Sequence, residues 1–218
     1  MSAATGGSAP LGAVEVVAAS AATAGAAATV MARAFAQDAT VATLVPLDVP
    51  GREDRLQRLF LAEIHSAGFD RVDLAVDAAS QEVLGVAAWE RPPRGREAEL
   101  PLSEVTRWRL VAARALGPGG VIAGRRFDKA TERLRPPEPH WHLMDIAVDP
   151  HAQGRGVGGA LLSHRLALVD ADGKRAYLSA TTPASRRLYE RHGFEAVGSL
   201  PEGTGGATAM VRRPVIRI

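Results

Sequence analysis

An α/β (α+β) domain is what the sequence predicts, and three observations predict it. Stretches with apolar residues at helical spacing alternate along the chain with short runs of strand character. Prolines and glycines fall mostly between these stretches rather than within them. At 218 residues, 46% of them hydrophobic and 23% charged, the chain is long enough to bury a sizeable core, as one domain or as two small ones.

Residues 1–13 read as a flexible tail of small and polar residues. Val14–Val17 is an apolar run fit for a first strand. Thr23 to Gln37 follows with Val30, Met31, Ala34 and Phe35 on one helical face. Pro46, Pro50 and Gly51 interrupt, and Arg52 to Ala67 resumes the helical period with Leu56, Leu59, Phe60 and Ile64. Val72–Val76 and Val83–Trp89, joined by the polar turn Asp77–Gln81, predict a β-hairpin. The stretch 91–138 is an insert rich in breakers, with helices predicted over Leu102–Leu116 and Val121–Leu134. Its arginines (Arg107, Arg109, Arg114, Arg125, Arg126, Arg133) read as a solvated face rather than an anion site. Trp141–Val148 is a strand, Asp149–Arg155 a turn, and Val157–Asp170 a helix with Leu161, Leu162, Leu166 and Val169 facing the core. Ala176–Ala180 is another strand. Thr182 then caps a helix that has Pro183 at its first position and ends at His192 and Gly193. Thr208–Val211 and Val215–Ile218 are candidate terminal strands.

Composition narrows the function. A net charge of +2 does not argue for a nucleic-acid binder, and the pI of about 9.5 reflects only a small excess of cations, nearly all arginine. The absence of cysteine excludes a disulfide framework, a thiolate zinc site and a cysteine nucleophile. His151, His164 and His192 lack metal-ligand spacing, so no metal site is expected. With no signal-like start and no apolar run near the roughly 20 residues that cross a bilayer, a cytoplasmic protein away from membranes is expected.

The most informative segment is Gln153-Gly154-Arg155-Gly156-Val157-Gly158-Gly159, between a strand and a helix. Glycines there permit a sharp turn and close approach of a ligand to the main chain. The helix N-terminus beyond it offers unpaired N–H groups and partial positive charge to phosphate oxygens. Gly154, Gly156 and Gly159 formally satisfy the dinucleotide pattern G-x-G-x-x-G. That pattern usually opens a doubly wound domain, whereas only about sixty residues follow here, and the next strand ends in Leu178-Ser179-Ala180 with no acid to hold a ribose. A P-loop fails because no Gly-Lys-Ser/Thr follows.

Gln153-x-x-Gly156-x-Gly158, the preceding Ile146-Ala147-Val148-Asp149-Pro150 and the later Leu188-Tyr189-Glu190-Arg191-His192-Gly193-Phe194 together resemble the GNAT superfamily of acetyltransferases. Pro139-His140-Trp141, Thr182-Pro183 with Tyr189-Glu190-Arg191, and the early Ala34-Phe35-Ala36-Gln37-Asp38 resemble its puromycin N-acetyltransferase group. The resemblance implies one domain over 14–218 with a central mixed, mostly antiparallel sheet. That sheet is splayed between its fourth and fifth strands, with the helical insert 91–138 between strands three and four, over the acceptor. It implies acetyl-CoA as the acyl donor and a small primary amine as acceptor, with the protein alone or as a homodimer. A protein or peptide N-acetyltransferase and a non-catalytic acyl-CoA sensor are the alternatives.

The resemblance also assigns roles. Ile146, Ala147 and Val148 lie where the family lays the pantetheine arm. Gln153, Gly154, Arg155, Gly156, Val157, Gly158 and Gly159 form the pyrophosphate loop. Tyr189 is the general acid, a phenol of pKa about 10 suited to protonating a thiolate of about 8.5. Ser185 stands where relatives carry an asparagine against the cofactor, and Ser179 where many carry a basic glutamate. With Ser179 unable to serve, His142 is the candidate base, its pKa near 6.5 suiting neutral pH. Asp145, Glu90 and a water wire are further candidates.

Overall fold

The computed structural model describes residues 12–92, 102–201 and 206–215. The elements run β1 (Val14–Ala18), α1 (Ala24–Ala34), α2 (Ala39–Leu44), α3 (Arg52–Ala67), β2 (Val72–Asp77), β3 (Val83–Glu90) and α4 (Leu102–Glu132), then β4 (His140–Val148), α5 (Val157–Ala171), β5 (Arg175–Ala180), α6 (Pro183–Arg191), β6 (Glu195–Ser199) and β7 (Thr208–Arg212). The strands form one seven-stranded sheet in the order β1-β2-β3-β4-β5-β7-β6. Every neighbouring pair is antiparallel except β4 with β5. No helix among the described residues is long and apolar enough to cross a membrane.

The sheet is covered on both faces. One layer packs Met31 of α1 and Leu56, Phe60 and Ile64 of α3 onto Leu74 and Val86. The other packs Leu161, Leu162 and Leu166 of α5 onto Trp89, Trp141, Leu143 and Leu178. Arg165 of α5 reaches through the second layer to Asp73 of β2, with Nε to Oδ2 at 2.8 Å and Nη2 to Oδ1 at 2.6 Å. Both side chains are buried.

Two irregularities decide where a ligand can enter. β4 pairs with β5 only over His140–His142 against Arg175–Tyr177, and the rest of the two strands diverges. β4 meanwhile stays paired with β3 as far as Val148, and β5 with β7 as far as Ala180, so the sheet opens in its middle rather than fraying at an edge. At the start of the opening β4 carries a bulge. Asp145 faces Ala88 and Leu143 faces Trp89, which leaves Met144 as the extra residue. A bulge bends its strand and sharpens the local twist. It also shifts the two-residue alternation by one. Leu143 packs in the α5 layer while Ala147 packs in the α1/α3 layer, so Asp145 is turned toward α3 instead of being buried under α5.

The insert forms two helices, as the breakers predict. Gly117, at φ 69° and ψ 175°, interrupts α4 just before Pro118. The second half lies so close to α2 that a Cβ at Gly120 would overlap the carbonyl oxygen of Leu44. In the first half Trp108 stacks on His65 of α3, the ring centroids 3.9 Å apart. The six insert arginines named above are exposed, which agrees with a solvated face.

Some elements depart from the sequence reading. α2 was not predicted, because six residues are too short to show a period. It forms because Asp38 caps it, accepting from Val41 N at 2.9 Å. β6 is an exposed edge strand containing Gly198 and shows no apolar alternation. Val215 lies outside any strand, and 216–218 are outside the described residues. Residues 1–11 of the expected tail are likewise outside them. Gly12 is held, its N–H donating to Asp77 Oδ2 at 2.7 Å.

Candidate active site

The glycine loop takes its shape from the end of β4. Asp149 accepts from His151 N at 3.0 Å, and Gln153 Nε2 donates to the Val148 carbonyl at 3.2 Å, folding the loop back on its strand. The side chain of Gln153 thus braces the turn. Gly154 and Gly156 sit at φ +76° and +82°, conformations that other residues adopt only with strain. Gly156 caps α5 without any side-chain hydrogen bond, so the first N–H groups of the helix are left for a ligand. A Cβ at Gly154 or Gly156 would meet no atom within 4 Å, so the space above the loop is open.

This loop opens on a cavity of about 1290 Å³ that occupies the gap between β4 and β5 and runs on beneath α2, α3 and α4. Binding pockets for single small ligands are typically about 300–1,000 Å³, so there is room for a nucleotide-sized ligand and a second reactant. Ile146, Ala147, Val148, Gln153, Gly154, Gly156, Val157, Gly158, Gly159, Ser185, Tyr189 and His142 all line it. Arg155 is exposed and does not. The hydroxyl of Ser185 is engaged locally: it donates to the Thr182 carbonyl at 2.9 Å, while Ser185 N donates to Thr182 Oγ1 at 3.0 Å. Ser185 therefore caps α6 rather than reaching outward. Among the described residues no group of three or more His, Asp or Glu could hold a metal ion.

Tyr189 is buried in the second turn of α6, edge-on to Phe194. Burial first, and then the neighbouring Asp145 charge, hold its phenol well above the usual tyrosine pKa, so it stays protonated at any physiological pH. His142 lies at the other end of the cavity. Its Nδ1 is 3.0 Å from Arg135 Nη2 and 3.3 Å from Glu90 Oε2. Nδ1 accepts from Arg135 in one tautomer and donates to Glu90 in the other. Burial lowers the pKa of His142 against the pull of Glu90, which keeps the ring neutral.

Between these two residues the structure assembles a pair that sequence reasoning only half found. Glu63 of α3 and Asp145 of β4 come within hydrogen-bonding reach in the cavity wall. Burial raises the pKa of both carboxyls, that of Asp145 to about 6. The Asp145 charge raises Glu63 further, whereas the hydrogen bond from Glu63 favours the ionised Asp145. The arrangement is one proton held mainly by Glu63 and one negative charge held mainly by Asp145. Asp38 adds repulsion from α2, while its own Oδ2 accepts from Thr181 Oγ1 of the β5 end at 3.3 Å. Asp145 stood among the candidate bases, but Glu63 was missed. Its signal was a charged residue seven after Leu56 and three after Phe60, on the apolar stripe of α3.

With this geometry in view, comparison with known proteins is decisive. The acetyltransferase (GNAT) domain family matches residues 109–196. A solved structure of histone acetyltransferase HPA2 and related acetyltransferase from Corynebacterium glutamicum is 30% identical, covering 94% of this chain and 98% of its own, with a TM-score of 0.68. The chain belongs to the GNAT acetyltransferase family. A Drosophila melanogaster polyamine N-acetyltransferase shares the fold at 17% identity, with a TM-score of 0.63 over 92% of this chain and all of its own. An Escherichia coli ribosomal-protein alanine N-acetyltransferase shares it at 16%, with a TM-score of 0.52 over 94% of this chain and 97% of its own. In this GNAT acetyltransferase the splayed β4/β5 pair carries the glycine loop on one lip.

Replacing Gly156 with alanine tests the loop. A left-handed alanine costs about 1–2 kcal/mol, and the added methyl enters the space above the helix N-terminus. The expected result is a lower melting temperature and a smaller further rise on adding acetyl-CoA, both read by thermal denaturation. A rise equal to that of the parent would remove the loop from the binding site.

Proposed function

We propose that the protein transfers the acetyl group of acetyl-CoA to a primary amine of a small molecule by direct attack on the thioester. The observation that carries this reading is the single cavity joining the glycine loop to a buried tyrosine and a half-protonated carboxyl pair. Main-chain groups of Ile146 and Val148 run along the open edge of β4 and would pair with the pantetheine arm as an added strand does. The N–H groups from Gly154 to Gly159 would take the pyrophosphate. Acetyl-CoA supplies an acetyl group activated as a thioester.

The amine nitrogen forms the new bond to the acetyl carbon, the carbon–sulfur bond breaks, and Tyr189 gives its proton to the departing sulfur and is reprotonated as the acylated nitrogen sheds its extra proton. The ammonium form of the acceptor must first lose a proton. His142 is one candidate to receive it, its ring kept neutral by burial. The Glu63–Asp145 pair is the other, because the Asp145 charge is felt at the Tyr189 phenol, where the bond is made. Entry into the cavity strips water from the ammonium and lowers its pKa, as the same burial raises that of the carboxyls, which brings the two together.

A small acceptor fits because α4 (Phe127, Asp128, Glu132) and Arg135 after it line the cavity, where an extended peptide would need an open groove. The likeness to a polyamine N-acetyltransferase and the resemblance to the puromycin group point the same way, while the ribosomal-protein enzyme keeps a protein acceptor as the alternative.

The test is free-thiol release from acetyl-CoA over a panel of polyamines, aminonucleosides, aminoglycosides, amino acids and short peptides. Release with a small amine, reduced about 10²-fold or more in Tyr189→Phe, is the expected outcome. Release only with peptides would move the acceptor to proteins. Thermal stabilisation by acetyl-CoA with no release across the panel would point to an acyl-CoA sensor.

A further inference from the structure

The chain holds no cysteine, so its sulfur chemistry rests on methionine alone. The methionines among the described residues are of two kinds. Met31 and Met210 are wholly buried, one in each core layer. Met144 is 38% exposed and lines the cavity. A thioether inside a packed core is out of an oxidant's reach, whereas one on the wall of an open cavity is within it.

The exposure of Met144 is built into its strand. As the extra residue of the β4 bulge, it has no partner residue on β3. β4 parts from β5 after His142, so Met144 has no partner there either. It therefore stands where the sheet opens, next in the chain to Asp145, on a cavity whose wall also includes Leu143, Ile146 and Leu178. A methionine suits this wall, being apolar and adaptable in shape. Its sulfoxide does not, because the sulfur then carries a polar oxygen that only accepts hydrogen bonds. The neighbouring Asp145, when ionised, has no proton to offer it. Covering such a group with a ligand that leaves it unpartnered is unfavourable.

We propose that Met144 is an oxidation site through which peroxides reversibly close the cavity to acetyl-CoA. One peroxide oxygen bonds to the sulfur, the oxygen–oxygen bond breaks, and the other oxygen leaves as water with both hydrogens. The sulfur gives up two electrons and the peroxide takes them. A thiol-dependent methionine sulfoxide reductase restores the thioether, the oxygen leaving as water while two thiols become a disulfide. Acetyl-CoA seated along β4 covers the sulfur, so the occupied protein resists the oxidant. The effect on turnover rests on the acetyl-transfer reading above, whereas the site of oxidation does not.

The test treats the full chain with hydrogen peroxide, with and without acetyl-CoA, and follows its peptides by mass spectrometry. One oxygen should appear at Met144 well before Met31 or Met210, and more slowly when acetyl-CoA is present. The treated protein should lose most of its thiol release and most of its thermal stabilisation by acetyl-CoA, and the reductase should restore both. Met144→Leu, a swap of similar volume, should keep both after the same treatment, each measured against its own untreated value. Oxidation of Met31 or Met210 as early as Met144, or an equal loss in Met144→Leu, overturns the proposal. If the variant folds poorly, the parent decides alone: a loss that the reductase does not mend also overturns it. Absence of thiol release before any treatment would remove the acetyl-transfer reading, and the order of oxidation and the thermal shift would still test this one.

Discussion

Asp145→Asn is expected to lower kcat by about 10²–10⁴-fold with small amine acceptors, while acetyl-CoA binding is retained. Glu63→Gln should act in the same direction but less steeply, since Asp145 keeps a carboxylate at the reacting nitrogen. The pH dependence gives a signature that mere misfolding would not. In the parent, kcat/KM should rise with pH as Asp145 ionises, with an apparent pKa of about 6. In Asp145→Asn that limb should be missing, leaving only the rise due to the amine itself. A parent-like rate and profile in Asp145→Asn, with the loss appearing in His142→Gln instead, would assign the base to His142.

The same pair predicts the sign of a stability change. A carboxyl whose folded pKa is raised binds more protons folded than unfolded in the window between the two values. Stability contributed by the pair is therefore greatest below the ordinary carboxylate range, near pH 4, and is lost as pH rises through about 6. Urea denaturation should find Asp145→Asn more stable than the parent at pH 8, with the difference shrinking toward pH 4. An enzyme made stiffer and slower by one substitution is what a strained catalytic pair would give.

The largest effect on folding is expected at Arg165. Arg165→Met leaves Asp73 charged, buried and without its bidentate partner, and breaking such a pair typically costs about 3–5 kcal/mol. Its guanidinium also donates to the Asp70 carbonyl at 3.1 Å and lies 5.7 Å above the ring of Trp141, so several contacts are lost at once. The variant should unfold at markedly lower urea concentration. Adding Asp73→Leu should restore much of the loss, because two apolar side chains no longer leave a bare charge. A double variant as unstable as the single one would show that packing, and not the buried charge, dominates.

Most of the elements were legible in the sequence, because they follow from residues near one another along the chain. The helix over Arg52–Ala67 comes from the spacing of Leu56, Phe60 and Ile64, and the two-part insert from Gly117 and Pro118. The turns of the glycine loop and the cap of α6 were legible for the same reason. Gly154 and Gly156 adopt left-handed conformations before the N-terminus of α5, and Thr182 caps α6. Even there, the side chains of Gln153 and Ser185 are engaged with backbone groups three to five residues away, a partition that residue type alone does not reveal.

What only the tertiary structure decided is the chemistry at the reacting atoms. Asp145 faces α3 because one bulged residue, Met144, shifts the alternation of β4, and no local pattern marks that shift. Glu63 meets Asp145 across 82 residues of chain, and Arg165 meets Asp73 across 92. Helical and strand periods are set by neighbours, so sequence determines which segments form and which loop can cradle phosphate. The pKa of a carboxyl is set by burial and by charges brought from elsewhere in the chain. The Glu63–Asp145 pair therefore became visible only when β4 and α3 were placed around one cavity.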